Sequence, residues 1–417
     1  PLDVCQIGGI TAEQADFVRA NGYAQANLVE QVVLGSVSGD LGEYGITSPF
    51  AKEGVGVALA VEYRTEALDY RPDALVSAGN LGGTGGPSPG VRGQYQVHEA
   101  FGELNLPLVE DLTGVKSLTV DLAYRWSNYS LANDTQSYKY GLRYAPIDDI
   151  AFRASFQQAT RAPAVSELFS PSAFGLAGGS DPCAGANLRG NPNAPTLEQC
   201  LATGLTEAQY NAGVNSTADA PGGVQDCNSG QCNIRTGGNT ALRPEDSKTY
   251  SAGFVFEPTF FKGFTLTVDY FDIAIRGAIG IQPVSAIFNR CFGGDQSACD
   301  TINRGPTGRL SGSTDGGANF IDNPLFNTAV FRTKGFDVQA DYRIRLKEWG
   351  LGNVGSLNAN FVATYLSKFT TEAGQGTGVY DCAGLFGTTC GTPNPEYRHK
   401  LRLTWDIAPI GLAVSAN

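Results

Sequence analysis

Nine cysteines are the residues of this chain best placed to do chemistry, and eight stand in close sequential pairs: Cys183/Cys200, Cys227/Cys232, Cys291/Cys299 and Cys382/Cys390. Each pair lies in a stretch rich in Gly, Asn, Asp and Ser, as in CNSGQC (227–232) and CAGLFGTTC (382–390). Such spacing closes short loops and points to disulfides formed in an oxidising compartment. Zinc is the weaker reading, because there is no CxxC pair and no nearby histidine. Cys5 is the odd residue: either its partner lies upstream of Pro1 or it is a free thiol.

Acid–base and phosphate chemistry find little support. Only His98 and His399 occur, neither beside a Ser or Cys that would suggest a triad, so both are read as structural or solvated. The glycine-rich segment GNLGGTGGPSPG (79–90) lacks the Lys-Ser/Thr of a phosphate loop and precedes a strand pattern, so it reads as a loop. Asp315, Asn319, Asp322 and Asn323 offer oxygens to calcium but do not match an EF-hand loop. No enzyme and no cofactor are expected. Lys plus Arg number 29 against 41 Asp plus Glu, a net charge of −12, which is the wrong sign for a nucleic-acid partner.

The elements that position these residues follow from a two-residue period. In 117–127, Leu118, Val120, Leu122, Tyr124 and Trp126 alternate with Ser117, Thr119, Asp121, Ala123 and Arg125; in 336–346, Phe336, Val338, Ala340, Tyr342 and Ile344 alternate with Asp337, Gln339, Asp341 and Arg343. Such alternation places apolar and polar residues on opposite faces of strands. About twelve strands are expected: 30–40, 55–66, 93–105, 117–129, 136–145, 149–158, 245–257, 263–276, 329–346, 355–368, 397–408 and 410–417. The segment 93–105 is the least regular, with Glu99 and Glu103 in phase with Tyr95 and Phe101. Short turns, as at 146–148 and Pro409, alternate with long connections at 159–244, 277–328 and 369–396. The cysteine pairs all fall in those long connections, and Thr196 and Thr206 each open a Thr-x-x-Gln helix start inside the first.

Strands of ten or more residues exceed the usual five or six of soluble sheets and suit a bilayer crossing of about 9–11. Aromatics near strand ends (Trp126, Tyr129, Tyr138, Tyr144, Tyr365, Trp405) suit interfacial girdles. The expected fold is therefore all-β: a transmembrane antiparallel β-barrel with short periplasmic turns and long extracellular loops carrying small helical patches. A β-sandwich or propeller would instead bury the apolar face under a second layer. The polar face, carrying Glu62, Arg64, Asp121, Arg125, Lys139, Arg143, Arg153, Asp337, Asp341, Arg343, Lys400 and Arg402, then faces a wet lumen. These charges either pair across strands, contact a plug, or simply solvate the wall.

Five segments resemble the β-barrel of TonB-dependent outer-membrane receptors, in the family's order: SFQQATRAPAVSELF (155–169), ALRPEDSKTYSAGFVFEP (241–258), FTLTVDYFDIAIRGAI (264–279), NTAVFRTKGFDVQADYRI (327–344) and NPEYRHKLRLTW (394–405). VGVALAVEYRTEAL (55–68) resembles a mid-barrel strand of the large, disulfide-bearing branch. The motif positions are Arg161, Pro163, Pro244, Glu245 and Gly335. The resemblance implies a 22-stranded barrel filled by a plug, with residues 1–417 supplying mid-to-late strands. The plug, the TonB box and the last strands are expected elsewhere in a longer chain. It also implies a Gram-negative outer membrane, contact with membrane lipid and lipopolysaccharide, TonB as partner through the N-terminal region, and import of a small-molecule or oligomeric nutrient. Loop aromatics Phe169, Phe174, Tyr210, Phe288, Phe292, Phe320, Phe326, Tyr380 and Phe386 are candidate ligand contacts, or else pack their own loops. A passive porin-like channel and an adhesion or structural protein are the alternatives.

Overall fold

The two-residue period extends further in three dimensions than in the sequence. The computed structural model describes residues 9–81, 86–131, 134–216, 222–312, 318–372, 378–387, 390–407 and 410–416. Cys5, Asp315, the centre of 79–90 and the turn at Pro409 lie outside them. Its strands are β1 (Ala24–Asp40), β2 (Gly56–Pro72), β3 (Val91–Leu112), β4 (Val115–Tyr129), β5 (Thr135–Ile147), β6 (Ile150–Arg161), β7 (Ala173–Gly178), β8 (Gln231–Thr236), β9 (Glu245–Phe256), β10 (Phe264–Gly280), β11 (Ile302–Asn303), β12 (Phe320–Asp322), β13 (Phe326–Arg345), β14 (Ser356–Glu372), β15 (Tyr380–Asp381), β16 (Tyr397–Ile407) and β17 (Ile410–Ala416). The helices are α1 (Ala12–Val18), α2 (Ala74–Ala78), α3 (Val165–Phe169), α4 (Gly185–Leu188), α5 (Leu197–Ala202), α6 (Glu207–Val214), α7 (Val284–Phe292) and α8 (Gln296–Cys299).

The strands expected from alternation form one antiparallel meander, β1-β2-β3-β4-β5-β6-β9-β10-β13-β14-β16-β17, with β15 added against β14. Among the described residues β1 and β17 do not pair with each other, so the wall is an open, partial barrel. The remaining strands, β11-β12-β8-β7, make a separate small sheet inside the long loops.

Register fixes which residues share a face, because directly opposed residues in an antiparallel ladder point the same way. Glu62 opposes Glu99, and Glu99 opposes Ser127. The irregular segment is thereby explained: Glu99 and Glu103 lie on the polar face and carry Tyr95 and Phe101 with them. Lys139, Arg143, Arg153, Asp269, Asp337 and Asp341 follow on the same face through successive registers.

Among the described residues the other face has no second layer over it. Phe152 is 44% exposed and Leu403 51%, which in water would be an aggregation surface and in hydrocarbon is ordinary. It is banded. Tyr250, Ala252, Phe254 and Phe256 run down β9; Phe336, Val338, Ala340 and Tyr342 run down β13; His399, Leu401, Leu403 and Trp405 run down β16. Each strand thus shows a small apolar centre between ring-bearing ends. The lower rings are tied to the short-turn end: Tyr144 Oη donates to the Gly114 carbonyl at 2.7 Å, and Trp405 Nε1 to the Val354 carbonyl at 2.8 Å. An amphipathic ring with its polar tip toward the turns is what a membrane–water interface selects.

Val338→Arg, at the centre of the apolar band, is expected to lower folding stability in bilayers by about 2–4 kcal/mol, whereas Thr267→Arg on the polar face changes it by less than about 1. Denaturant titration of folding into vesicles measures both; equal costs would mean that the two faces see the same medium.

Candidate ligand-capture site

The described residues of the first two long connections, 162–216 and 222–244 in one, 281–312 and 318–325 in the other, are packed against one another. They fold together into a cap on the outer rim, with a core of Val284, Ile287, Phe288, Leu310, Ile321 and Ile234. Local sequence explains its helices: Thr196 caps α5 and Thr206 caps α6, each with its Gln in a reciprocal capping box. The two helix starts give two separate helices, broken at Gly204, whose φ of +85° favours glycine. Three disulfides lie within the cap, Cys183–Cys200, Cys227–Cys232 and Cys291–Cys299, and Cys382–Cys390 closes the third long loop.

A buried ion pair joins the two connections through the interior. Arg304 donates from Nη1 to Asp181 Oδ2 at 2.6 Å and from Nη2 to Asp181 Oδ1 at 2.7 Å. Its Nε reaches Thr203 Oγ1 at 2.9 Å and its Nη1 the Gly308 carbonyl at 2.6 Å. Both charged side chains are 0% exposed. A buried pair in bidentate geometry with its remaining protons accepted is tolerable; the same guanidinium without its carboxylate is not.

The motif positions join cap to wall. Arg161, ending β6, donates to Glu245 on β9 at 2.6 and 2.8 Å and to Glu167 on α3 at 2.9 and 3.1 Å. Glu245 also accepts the Ile279 N–H of β10 at 2.7 Å, and Glu167 the Ala164 N–H at 2.7 Å. One arginine therefore fixes three strands and the first cap helix. Pro163 is fully buried and Pro244 partly so. Phe169 lies directly over Gly93 of β3, where any Cβ would collide with its ring. Gly335 sits at a register shift between β13 and β14, where a Cβ would meet the Tyr365 carbonyl.

Beneath the cap the polar face opens into a cleft of about 600 Å³ lined by Arg64, Glu66, Tyr95, Glu99, Arg125, Tyr129 and Arg161, among others. Its cations are matched: Arg64 lies 3.3 Å from Glu66 and 3.7 Å from both Glu30 and Glu62, and Arg125 pairs with Glu99, which also accepts from Ser127 Oγ at 2.5 Å. Farther along the wall, Arg153 reaches Asp269 across an intervening strand, with Nε to Oδ1 at 2.8 Å. Gly253 lies between them in register and makes room, since a Cβ there would strike the Asp269 carboxylate. Asp121 accepts from Asn105 at 2.7 Å, Asp337 from Thr364 at 2.7 Å, and Asp341 from Asn360 at 2.6 Å. Lys139, Arg143, Arg343, Lys400 and Arg402 form no ion pair among the described residues.

The loop aromatics separate by burial. Phe288 is 1% and Phe320 2% exposed; Phe320 packs edge-on with Phe174 at 5.1 Å and beneath the Arg235 guanidinium at 4.8 Å. Phe292 packs on the cap core, Tyr210 donates its hydroxyl to the Pro195 carbonyl at 3.0 Å, and Phe326 starts β13 at the rim. Phe386, 77% exposed, and Tyr380, 48% exposed, present their rings to solvent. The oxygen cluster is already engaged: Asp322 pairs with Arg235 at 2.7 Å, Asn323 donates to the Gln282 carbonyl at 2.8 Å, and Asn319 accepts from the Gly305 N–H at 3.2 Å. Among the described residues no cluster of metal ligands forms. His98 stacks on Tyr63 at 4.9 Å and His399 on Tyr397 at 5.3 Å, both on the apolar face and far from any nucleophile in the lumen. Sequence reasoning missed Tyr95 and Glu99 here, which were signalled only by their shared phase; Tyr129, expected in the interfacial girdle, instead opposes Val97 on the luminal face and lines the cleft, because it is out of phase with Trp126 on β4.

A family model described as TonB dependent receptor-like, beta-barrel, matches residues 9–416. No curated protein matches the sequence. Among solved structures, a mutant ferric enterobactin receptor of Pseudomonas aeruginosa with enterobactin bound is 14% identical, with a TM-score of 0.52 over 94% of this chain and 41% of that one. A siderophore receptor of Acinetobacter baumannii is 12% identical, also at 0.52, over 94% of this chain and 42% of that one. The chain thus spans about two fifths of the length of these structures, and at such identity the likeness is one of fold.

Arg304→Ala is expected to destabilise the cap by about 3–5 kcal/mol through the orphaned Asp181, seen as lost hydrogen-exchange protection over α4–α6 while the wall strands stay protected. Asp295 is a second, pH-dependent check. Hydrogen bonds from Ser297 and the Arg290 guanidinium lower its carboxyl to about 2. Its stabilisation of the α8 start is therefore complete above the ordinary carboxylate range and is lost as pH falls from about 4 through about 2. Carboxyl NMR gives the midpoint directly; a value near 4 would contradict the geometry.

Proposed function

Because this chain belongs to the family of TonB-dependent receptor β-barrels, we propose that it supplies the mid-to-late barrel strands and ligand-capturing loops of an active importer. The family places it in the outer membrane of a Gram-negative bacterium, as a transporter and not an enzyme. The observation that carries the reading is the cap: two long loops with a common core, seated by Arg161, Glu167 and Glu245 over a polar, charge-lined cleft. A porin needs no such superstructure, since its passage works by diffusion through an open lumen.

In this reading the solute meets the loops first, and the solvent-presented Tyr380 and Phe386 are the first contacts. Phe169, Phe174, Tyr210, Phe326 and Phe292 shape the platform, while Phe288 and Phe320 hold its interior. The solute then enters the cleft at Arg64, Tyr95 and Tyr129. A plug occupies the lumen against the unpaired Lys139, Arg143, Arg343, Lys400 and Arg402, and TonB supplies energy through it. The solved relatives bear the names of siderophore receptors, which makes a small iron chelate the first solute to try. The free edges of β1 and β17 pair with further strands of the same, longer chain, since unpaired backbone in hydrocarbon costs several kcal/mol per group.

A strain lacking this protein, grown on limiting iron, cobalamin, oligosaccharide or peptide, is expected to fail on one source and to be rescued only when TonB is functional. Rescue without TonB would establish a passive channel instead. Tyr380→Ala with Phe386→Ala should weaken solute binding about tenfold, the scale of losing two aromatic contacts, while leaving the amount of folded protein unchanged.

A further inference from the structure

On β10, β13 and β14 the two faces exchange character partway up the wall. Below the outward rings Tyr270 and Phe336, whose centroids lie 5.3 Å apart, Val268, Leu266, Val338 and Ala340 are on the lipid side while Asp269, Asp337 and Gln339 are on the luminal side. Above those rings the outward phase is charged: Asp272 pairs with Arg332 and Lys334 at 2.9 and 3.0 Å, Asp246 opposes Arg276, and Lys334 opposes Lys368. The luminal phase at that height is apolar. Ile275 opposes Phe331, Ile273 opposes Thr333 and through it Phe369, and Phe271 opposes Gly335 and through it Leu366. Hydrocarbon does not reach a surface that carries so many ions, so the outer side there is wet and the inner side is the greasy one.

Phe271, Ile273, Ile275, Phe331, Leu366 and Phe369 make a patch of about 14 Å along the strands and about 10 Å across them. All are only half-buried, and none belongs to the cores of the cap or to the packing of α3 on β2 and β3. Gly335 makes room in the middle, since the Phe271 ring lies against the place a Cβ would take. On its β9 side the patch meets a strip of hydroxyls, Ser247, Thr249 and Ser251, and beyond that strip come Ala159 and Gln157, which line the cleft. Cleft, strip and patch therefore share rows of one continuous luminal surface. The charged residues Asp337, Asp341 and Arg343 begin only in the rows below it.

We propose that the solute held in the cleft is amphiphilic: its polar part lies among the charged and hydroxyl groups of the cleft, and an alkyl or acyl chain crosses the hydroxyl strip of β9 to rest on the apolar patch. Covering such a patch with a chain takes both surfaces out of water, which is where the added affinity comes from. The shared rows decide the occupant. Whatever fills the cleft at Gln157 and Ala159 ends within two strands of Ile273 and Ile275, about 10 Å. A body seated on the rows below meets carboxylates and guanidinium groups instead. The inference rests on the reading of the cleft as the solute's site, and adds to it the chemical class of the solute.

The test uses the full-length protein in nanodiscs and two synthetic ferric trihydroxamate chelates that differ only in carrying an acetyl or an octanoyl group. Equilibrium dialysis with radioactive iron gives both affinities, and protein-free nanodiscs correct for partition into lipid. The octanoyl chelate is expected to bind on the order of a hundredfold more tightly than the acetyl one. Ile273→Asn, Ile275→Asn and Phe331→Asn together should remove that advantage, while Lys368→Gln on the outer side of the same wall should keep it. Heat-modifiable gel mobility checks that each variant is folded. Equal affinity for the two chelates would overturn the inference and leave solute capture standing. An advantage that survives the triple change would overturn it too, by placing the chain elsewhere. Binding of neither chelate would overturn the capture reading, and the inference with it.

Discussion

A single layer of sheet separates two media that make opposite demands, and most of this molecule follows from that. Hydrocarbon offers no hydrogen bonds, so the backbone N–H and C=O groups between β1 and β17 are met by neighbouring strands, and only the outer edges of those two are left open. With the backbone committed to the ladder, the side chains alone distinguish lipid from lumen, and they do so every second residue. A one-residue slip in any strand would put Arg153 or Asp337 into the bilayer and Phe152 or Val338 into water. Register is consequently strict, and luminal contacts inherit that strictness: Arg153 meets Asp269 two strands away because Gly253 occupies the row between them.

The cap obeys the opposite logic. It sits in water and needs a core of its own, as any small domain does. Closing loops of this length costs entropy that grows only slowly with length, so the larger difficulty is ordering the many residues inside them. The disulfides shorten the effective loops, and pooling two connections into one core gives buried area that neither has alone. The Asp181–Arg304 pair makes this pooling specific, since its two halves come from different loops and neither tolerates burial without the other. Arg161 then transmits the position of the wall to the cap through Glu167, so the cap and the lumen are held in fixed relation.

Legibility in the sequence tracks this division. Wall strands were readable because their environment imposes a period on every residue: 117–129 and 397–408 were found within a residue or two of β4 and β16. The one segment that looked irregular, 93–105, broke the simple rule of apolar-out because Tyr95, Val97 and Phe101 lie on the luminal side, where the cap covers or lines them. Cap helices with capping boxes at Thr196 and Thr206 were legible from local chemistry. The small sheet was not: β12 pairs in parallel with β8 from a different loop, a contact that no local pattern announces. Nor did the sequence say which loop aromatics would be buried, because Phe288 and Phe386 differ only in what the rest of the chain places above them.

The wall's unmet interactions are as informative as its met ones. Charges beneath the cap are paired at short range, so the formal charge there is matched, although Arg64 Nε has no hydrogen-bond partner among the described residues. Lower in the lumen, Arg143 opposes Arg153, whose carboxylate partner is already used, and Arg402 opposes Asn360, which is bound to Asp341. Like charges placed side by side on an otherwise well-matched wall are unfavourable unless something acidic faces them. The same holds at the sides, where the ladders of β1 and β17 stop with one set of backbone groups unpaired in a region that cannot hydrate them. Both deficits call for groups that neither solvent nor lipid supplies: acidic side chains against the lumen wall and backbone donors and acceptors along the edges.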